Sequence, residues 1–197
     1  DLQNKTVLDF GCGHGALCIN LAESGATKIK GIDLNEKLLK FANENLQQNY
    51  KEYQSKVDFQ KQDLLDENFN EKFDLIVTKD TFEHSLNLPE ILNKFYKILA
   101  KGGKVYAGFG PLYNSYNGDH GRTQLKLPWL HVVLSDKFII KRYNSNNDIK
   151  INRIEDLGLS KYSLKDYKRI FKNSPTITSK RNHARNENTH ISKNMNT

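Results

Sequence analysis

At 197 residues the chain has the length of one domain built on a single sheet, and no run of about 18 apolar residues exists to span a membrane. Its net charge of +7 sits at one end: residues 1–160 balance 21 basic against 21 acidic side chains, whereas residues 161–197 hold nine against two. Its two cysteines, Cys12 and Cys18, suit neither a disulfide framework nor a zinc knuckle, which excludes a stapled secreted fold, predicts reduced thiols in a cytoplasmic protein and assigns no metal ligands.

The first predicted element is a buried strand, Thr6 to Phe10, that breaks into Gly11-Cys12-Gly13-His14-Gly15. Glycines at alternate positions withhold side chains where the backbone must approach a ligand closely, and a helix from Ala16 to Ser24 follows, with Leu17, Leu21 and Ala22 inward and Gly25 as its stop. A second strand, Lys28 to Asp33, ends in a carboxylate 18 residues past Gly15. A carboxylate at that tip of a βαβ unit is placed to accept from both ribose hydroxyls, so Asp33 is the predicted ribose ligand; helix N-capping by Asp33 or Asn35 is the plainer alternative. Leu38, Leu39, Ala42 and Leu46 recur at helical spacing and read as core. The third strand, Val57 to Gln60, precedes Asp63-Leu64, and the fourth, Phe73 to Val77, delivers Thr78 through His84 at its carboxyl end. A helix over Leu88 to Leu99 points Ile91, Leu92, Phe95 and Ile98 inward, with Gly102-Gly103 as terminator, and the fifth strand runs from Lys104 to Phe109.

Beyond Gly110 lies a long polar loop, Pro111 to Arg122, with aromatic punctuation; at the carboxyl edge of a sheet such a loop reads as a binding element. Pro128 to Leu134 reads as an apolar lid or short helix that Phe138-Ile139-Ile140 continues. Leu157 to Phe171 is predicted helical, with Ser163 as N-cap and Tyr167, Ile170 and Phe171 inward, and Thr176 to Lys180 as a sixth strand. Residues 183–197 are basic and rich in Asn and Ser, the composition of a solvated tail.

Five of these segments in order, Asp9-x-Gly11-x-Gly13-x-Gly15, Asp33, Gln62-Asp63-Leu64-Leu65, Phe73-Asp74-Leu75-Ile76-Val77 and Lys101-Gly102-Gly103, resemble the successive motifs of class I S-adenosylmethionine-dependent methyltransferases over about residues 6–110. Asp80-x-x-Glu83-His84 resembles the small-molecule group that includes the ubiquinone-biosynthesis type. The resemblance implies a Rossmann-like, doubly wound, mostly parallel α/β sheet of order 3-2-1-4-5 then 7-6, in a domain over residues 1–182 with 111–150 as a substrate-side lid. The missing helix before the first strand and the missing seventh strand predict a chain shortened at both ends. The implied cofactor is S-adenosyl-L-methionine, with S-adenosyl-L-homocysteine as product, held by Asp9, Gly11, Cys12, Gly13, Gly15, Asp33, Leu34, Asp63, Leu64 and Lys79. Within that set Asp63 accepts from the adenine amino group and the Leu64 N–H donates to the ring; a turn cap is the plainer role for Asp63.

Methyl transfer is an in-line displacement on a carbon the cofactor has already activated, so alignment outweighs proton transfer and a base is optional. The candidates on the acceptor side are His120, the preferred base in the Asp119-His120-Gly121 turn, His84, whose alternative is to pack at the next helix, and Asp80, which serves the methionine end of the cofactor or orients the acceptor. Tyr113, Tyr116 and Trp129 read as pocket walls or as lid packing, and Arg122 as a partner for an anionic acceptor or for Asp119. His14 faces solvent, and His131, His183 and His190 have no arguable partners. The expected acceptor is the O or N nucleophile of a small molecule. A dinucleotide fingerprint would place the third glycine one position later. A nucleic-acid methyltransferase would use the basic tail, yet Thr78-Lys79-Asp80-Thr81 stands where an Asn/Asp-Pro-Pro-aromatic motif belongs and the core is neutral. A non-catalytic cofactor-binding domain is the third alternative.

Overall fold

Thr6–Phe10 forms the central strand β1, with Val7 and Leu8 both fully buried in cores on opposite faces, as the two-residue period of a strand demands. The computed structural model describes residues 2–175. Among them β2 (Lys28–Asp33), β3 (Val57–Lys61), β4 (Phe73–Lys79) and β5 (Leu99–Gly108) join β1 in the order β3-β2-β1-β4-β5, every neighbouring pair parallel. Parallel neighbours require crossovers, and α1 (Ala16–Glu23) and α2 (Glu36–Asn49) cover one face through Cys18, Ile19, Leu39, Ala42 and Leu46. On the other face α3 (Leu88–Ile98) buries Ile91, Leu92, Phe95 and Ile98 against Leu8, Ile76 and Val105.

The chain then leaves the sheet. The apolar stretch expected to run from Pro128 through Ile140 divides into α4 (Leu130–Val133) and α5 (Asp136–Asn146), because Ser135 is extended and its Oγ accepts from the Phe138 N–H to start a new helix. Ile139 of α5 packs with Tyr113, Ile154 and Leu159 in a third, smaller core. The last helix, α6 (Leu164–Asn173), returns Tyr167 and Phe171 to the main core.

Two boundaries and one core residue differ from expectation. The helix predicted over Leu157 to Phe171 begins only at Leu164: Gly158 turns left-handed (φ 69°) after the 3₁₀ turn Ile154–Leu157, and Ser163 and Asp166 close a reciprocal capping box. Gly102-Gly103 does not terminate α3, because β5 already starts at Leu99 opposite Phe73; the glycines lie in the register shift before Lys104 pairs with Leu75. Leu38, expected in the core, is 39% exposed. The predicted sixth strand, Thr176 to Lys180, and the basic tail lie outside the described residues. Among the described residues no helix is long and apolar enough to cross a membrane.

Candidate functional site

At the carboxyl end of β1 all three loop glycines adopt positive φ, 75° at Gly11, 53° at Gly13 and 85° at Gly15. They do so for different neighbours. A Cβ added at Gly11 would stand 2.3 Å from Thr81 Oγ1 and one at Gly15 2.4 Å from the Phe59 ring, whereas at Gly13 it would meet only Leu38, at 3.9 Å. Gly11 and Gly15 are therefore closed by packing and Gly13 borders open space. The loop is clasped to β2: Gly11 and Cys12 N–H donate to Ile32 O (2.9 and 3.1 Å), and Gly13 N–H donates to Asp33 Oδ2 (2.9 Å). Asn35 Oδ1, accepting from Lys37 and Leu38 N–H, caps α2. Asp33 is thus free of the capping role. Its Oδ1 accepts from Asn35 N–H (2.8 Å), and each carboxylate oxygen keeps a further lone pair.

Asp9 lies beneath this loop, 1% exposed, with Oδ2 accepting from the Cys18 thiol (3.2 Å). Burial raises its pKa to about 7; the Cys18 bond pulls it down and Asp33 pushes it further up. The Cys18 thiol is itself held well above its ordinary range, first by hydrogen bonding with Cys12 and then by burial and the charge of Asp9. His14 is exposed, as expected. Along the rim Leu34 is 65% exposed and Leu64 buried, while Asp63 Oδ1 accepts from Leu65 N–H (2.9 Å), the turn-capping geometry that was its plainer reading. Lys79 is exposed, 4.0 Å from Asp80.

Opposite the loop, the tip of β4 is tied down. Asp80 adopts φ 53° and donates its N–H to Gly108 O (2.8 Å), and the Thr81 hydroxyl donates to Phe10 O (3.3 Å), bringing the tips of β1 and β4 together. The next residues wind into a 3₁₀ turn, Phe82–His84. Glu83 is 4% exposed; Oε1 accepts from Gly110 N–H (3.1 Å), and buried Oε2 has no hydrogen-bond partner among the described residues. Burial lifts its pKa to about 7, opposed by its own backbone N–H, the Gly110 N–H and Arg122, with Asp80 adding to the rise.

His84 Nδ1 lies 2.8 Å from Gly158 O, and a carbonyl only accepts, so Nδ1 carries the proton and Nε2 presents a lone pair, 3.3 Å from Arg122 Nη2. Burial lowers the His84 pKa, opposed by its bond to Gly158 and reinforced by Arg122 and His120, so the ring is neutral at pH 7. His120, at φ 51°, places Nε2 3.0 Å from Pro111 O, which by the same logic leaves Nδ1 with the lone pair. The two rings meet edge to face with centroids 4.8 Å apart.

Arg122 does not pair with Asp119. Its Nη1 donates to Leu157 O (2.8 Å) and Gly158 O (3.0 Å), clamping the long loop onto the segment before α6. Asp119 instead accepts from the Thr123 hydroxyl and lies 3.8 Å from His131 Nδ1. His131, for which the sequence offered no partner, is 2% exposed; Nε2 donates to Tyr113 O (2.6 Å) and the Tyr113 hydroxyl donates to His131 O (2.9 Å). Tyr113 is therefore lid packing rather than an open wall, whereas Tyr116 and Trp129 are exposed and meet edge to face at 5.2 Å. The sequence reading also passed over Glu83 as more than a companion of His84. No local signal marks it, because its bond to Gly110 joins segments 27 residues apart.

With this geometry in view, the family profile for a methyltransferase domain matches residues 1–108, more than half of the chain. The chain belongs to the methyltransferase domain family. Within it, this methyltransferase domain is 42% identical over 86 residues to a ribosomal protein L11 methyltransferase of Dictyoglomus turgidum, covering 44% of this chain and 27% of that protein. It is 34% identical over 102 residues to phosphoethanolamine N-methyltransferase 3 of Arabidopsis thaliana, covering 51% of this chain and 20% of that one. The chain thus spans about a quarter of the length of these curated relatives. The structure of Haemonchus contortus phosphoethanolamine N-methyltransferase 2 in complex with S-adenosyl-L-methionine shares its fold over 90% of this chain and 34% of that one, with a TM-score of 0.61 at 21% identity.

Proposed function

We propose that this methyltransferase domain moves a methyl group from S-adenosylmethionine to an oxygen or nitrogen nucleophile of a small-molecule acceptor. The observation that carries the reading is the junction of Gly11 with Thr81, which joins the loop that holds the open Gly13 and its partner Asp33 to the β4 tip that leads into Glu83 and His84. The residues fit the cofactor. Gly13 leaves room for it, Asp33 offers two oxygens to its ribose, Asp63 and Leu64 with Leu34 flank the adenine end, Lys79 and Asp80 the methionine end, and Asp9 supports Gly11, Cys12, Gly13 and Gly15 from below. When bound, the cofactor supplies an electrophilic methyl carbon. The protein's part is to hold the acceptor behind that carbon, which contributes about 7–11 kcal/mol through alignment. The Nδ1 lone pair of His120 takes the acceptor's proton, a smaller contribution of about 10²- to 10⁴-fold, and His84, whose Nε2 faces Arg122 Nη2 at 3.3 Å, is the second candidate.

The matched relatives act, by their names, on a ribosomal protein and on phosphoethanolamine, and the matches cover 44% and 51% of this chain and 27% and 20% of theirs. The family match covers residues 1–108, so the choice of acceptor is assigned to the lid over residues 111–150. The resemblance of Asp80, Glu83 and His84 to the ubiquinone-biosynthesis group supports a small molecule, and phosphoethanolamine is the first compound to try. The two free, buried thiols fit a reducing, cytoplasmic setting.

Calorimetry with S-adenosylhomocysteine tests the reading directly. Heat of binding is expected from the parent chain and none from Gly13→Val or Asp33→Ala. His120→Ala is expected to bind normally and turn over about a hundredfold more slowly. No heat from the parent would sink the proposal, and unchanged turnover would remove His120 from the chemistry.

A further inference from the structure

We infer that the short helix α4 and the outer face of α5 dock on the surface of an anionic lipid bilayer, with Trp129 as the anchor. Trp129 precedes α4 with its backbone left-handed (φ 58°), a conformation that costs a bulky residue energy, and its indole is half exposed. The Trp129 carbonyl accepts from the N–H groups of Val132 and Val133 (2.9 and 3.1 Å), so both valines follow within one turn; they too are exposed, Val133 to 77%. The exposed Tyr116 ring meets the indole edge to face. Four apolar side chains are left to water in one neighbourhood, the mark of a surface made to be covered.

The charge around them says what covers it. In α5 Ile139 turns inward to the third core, and Lys137, Phe138, Lys141 and Arg142 are exposed at the three- and four-residue spacings of one helix face. Exposed Lys126 stands just ahead of Trp129. Between residues 126 and 142 the single carboxylate is Asp136, and its Oδ2 accepts from Lys161 (2.7 Å). Among the described residues Lys126, Lys137, Lys141 and Arg142 have no carboxylate within ion-pair distance. Lys137 and Lys141, four apart on a helix, repel each other, and an anionic surface relieves that repulsion.

A bilayer is the occupant that this combination selects. Tryptophan and tyrosine settle at the level of the headgroups, aliphatic side chains reach the acyl boundary, and lysines extend their stems to anionic lipid. A second copy docked about a two-fold axis would bring the same four cations face to face. A nucleic acid would satisfy the cations and give Val132 and Val133 nothing to pack on. His120 lies in the same loop as Tyr116, so docking sets the acceptor end of the crevice beside the bilayer and favours an amphiphilic acceptor. That consequence rests on the proposed methyl transfer; the docking does not.

Trp129 is the one tryptophan of the 197-residue chain, so its fluorescence, excited apart from the tyrosines, reads this patch alone. Vesicles of equal parts phosphatidylcholine and phosphatidylserine are expected to shift its emission to the blue, added salt to reverse the shift, and phosphatidylcholine vesicles to leave it unchanged. Val133→Asp is expected to weaken binding to the mixed vesicles more than about tenfold. Lys137→Gln combined with Lys141→Gln is expected to weaken it about twentyfold, at about fivefold for each basic residue near an anionic leaflet. All three positions are exposed, and circular dichroism matching the parent confirms that the variants fold. No shift with the mixed vesicles, an equal shift with phosphatidylcholine alone, or parent affinity in both variants overturns the docking. A dimer in sedimentation without lipid that Val133→Asp dissociates assigns the face to a second copy and overturns it too. Vesicle binding by a chain that gives no heat with S-adenosylhomocysteine would sink the methyl-transfer reading alone, and heat without vesicle binding would sink the docking alone.

Discussion

Keeping a charge on Asp9 means stripping water from a carboxylate sealed under the glycine loop with Asp33 nearby, and its pKa of about 7 expresses that cost. The folded value lies above the ordinary 3.8, so between those two pH values the folded state holds a proton that the unfolded chain has released. Stability contributed by the protonated group is present below about pH 4, declines as pH rises toward 7 and is flat beyond. At about 1.4 kcal/mol per pH unit the loss amounts to about 4 kcal/mol. Asp9→Asn is therefore expected to match the parent near pH 4 and to exceed it in stability by a few kcal/mol at pH 8, measured by urea unfolding at both. A difference independent of pH would show that Asp9 does not titrate in this range. At this scale the glycines were legible because a positive φ is a demand of the local backbone. Glu83 was not, because its burial and its bond to Gly110 come from a segment 27 residues away.

Among the elements, the segment before α6 is the one whose place depends on side chains rather than on the sheet. Ser160 N–H donates to Glu83 O (3.1 Å), Tyr167 hydroxyl donates to Phe82 O (3.1 Å), and Arg122 holds the carbonyls of Leu157 and Gly158. A lysine offers a single ammonium where the guanidinium presents a planar fork. Arg122→Lys is expected to speed amide exchange at Ser160 and its neighbours while S-adenosylhomocysteine affinity stays at the parent value, read by hydrogen exchange and calorimetry. Unchanged protection would mean that the core contacts of Tyr167 and Phe171 hold the segment without the clamp. The Ser163 cap was legible because Ser-x-x-Asp acts within one turn. The early stop at Gly158 was missed because the apolar residues from Leu157 onward keep a helical period across a left-handed break.

For the molecule as a whole, two cores meet on a parallel sheet whose central strands are buried on both faces. Ile76 in β4 is fully buried where α3 packs, and Ile76→Ala is expected to cost about 2–5 kcal/mol, measured by denaturant unfolding. A cost under 1 kcal/mol would mean that the core relaxes into the space. The sequence by itself determined the five strands, the glycine loop and the Asp33 tip, because strand alternation, helical period and left-handed glycines are written over a few neighbouring residues, and the strand order followed from the family resemblance. Only the tertiary structure decided that Glu83, His84 and His120 converge, that Arg122 reaches back to Gly158 and that His131 is locked to Tyr113. Those meetings join residues 18 to 38 positions apart in the chain, and their geometry is set by how the long loop and the returning α6 pack on the strand tips.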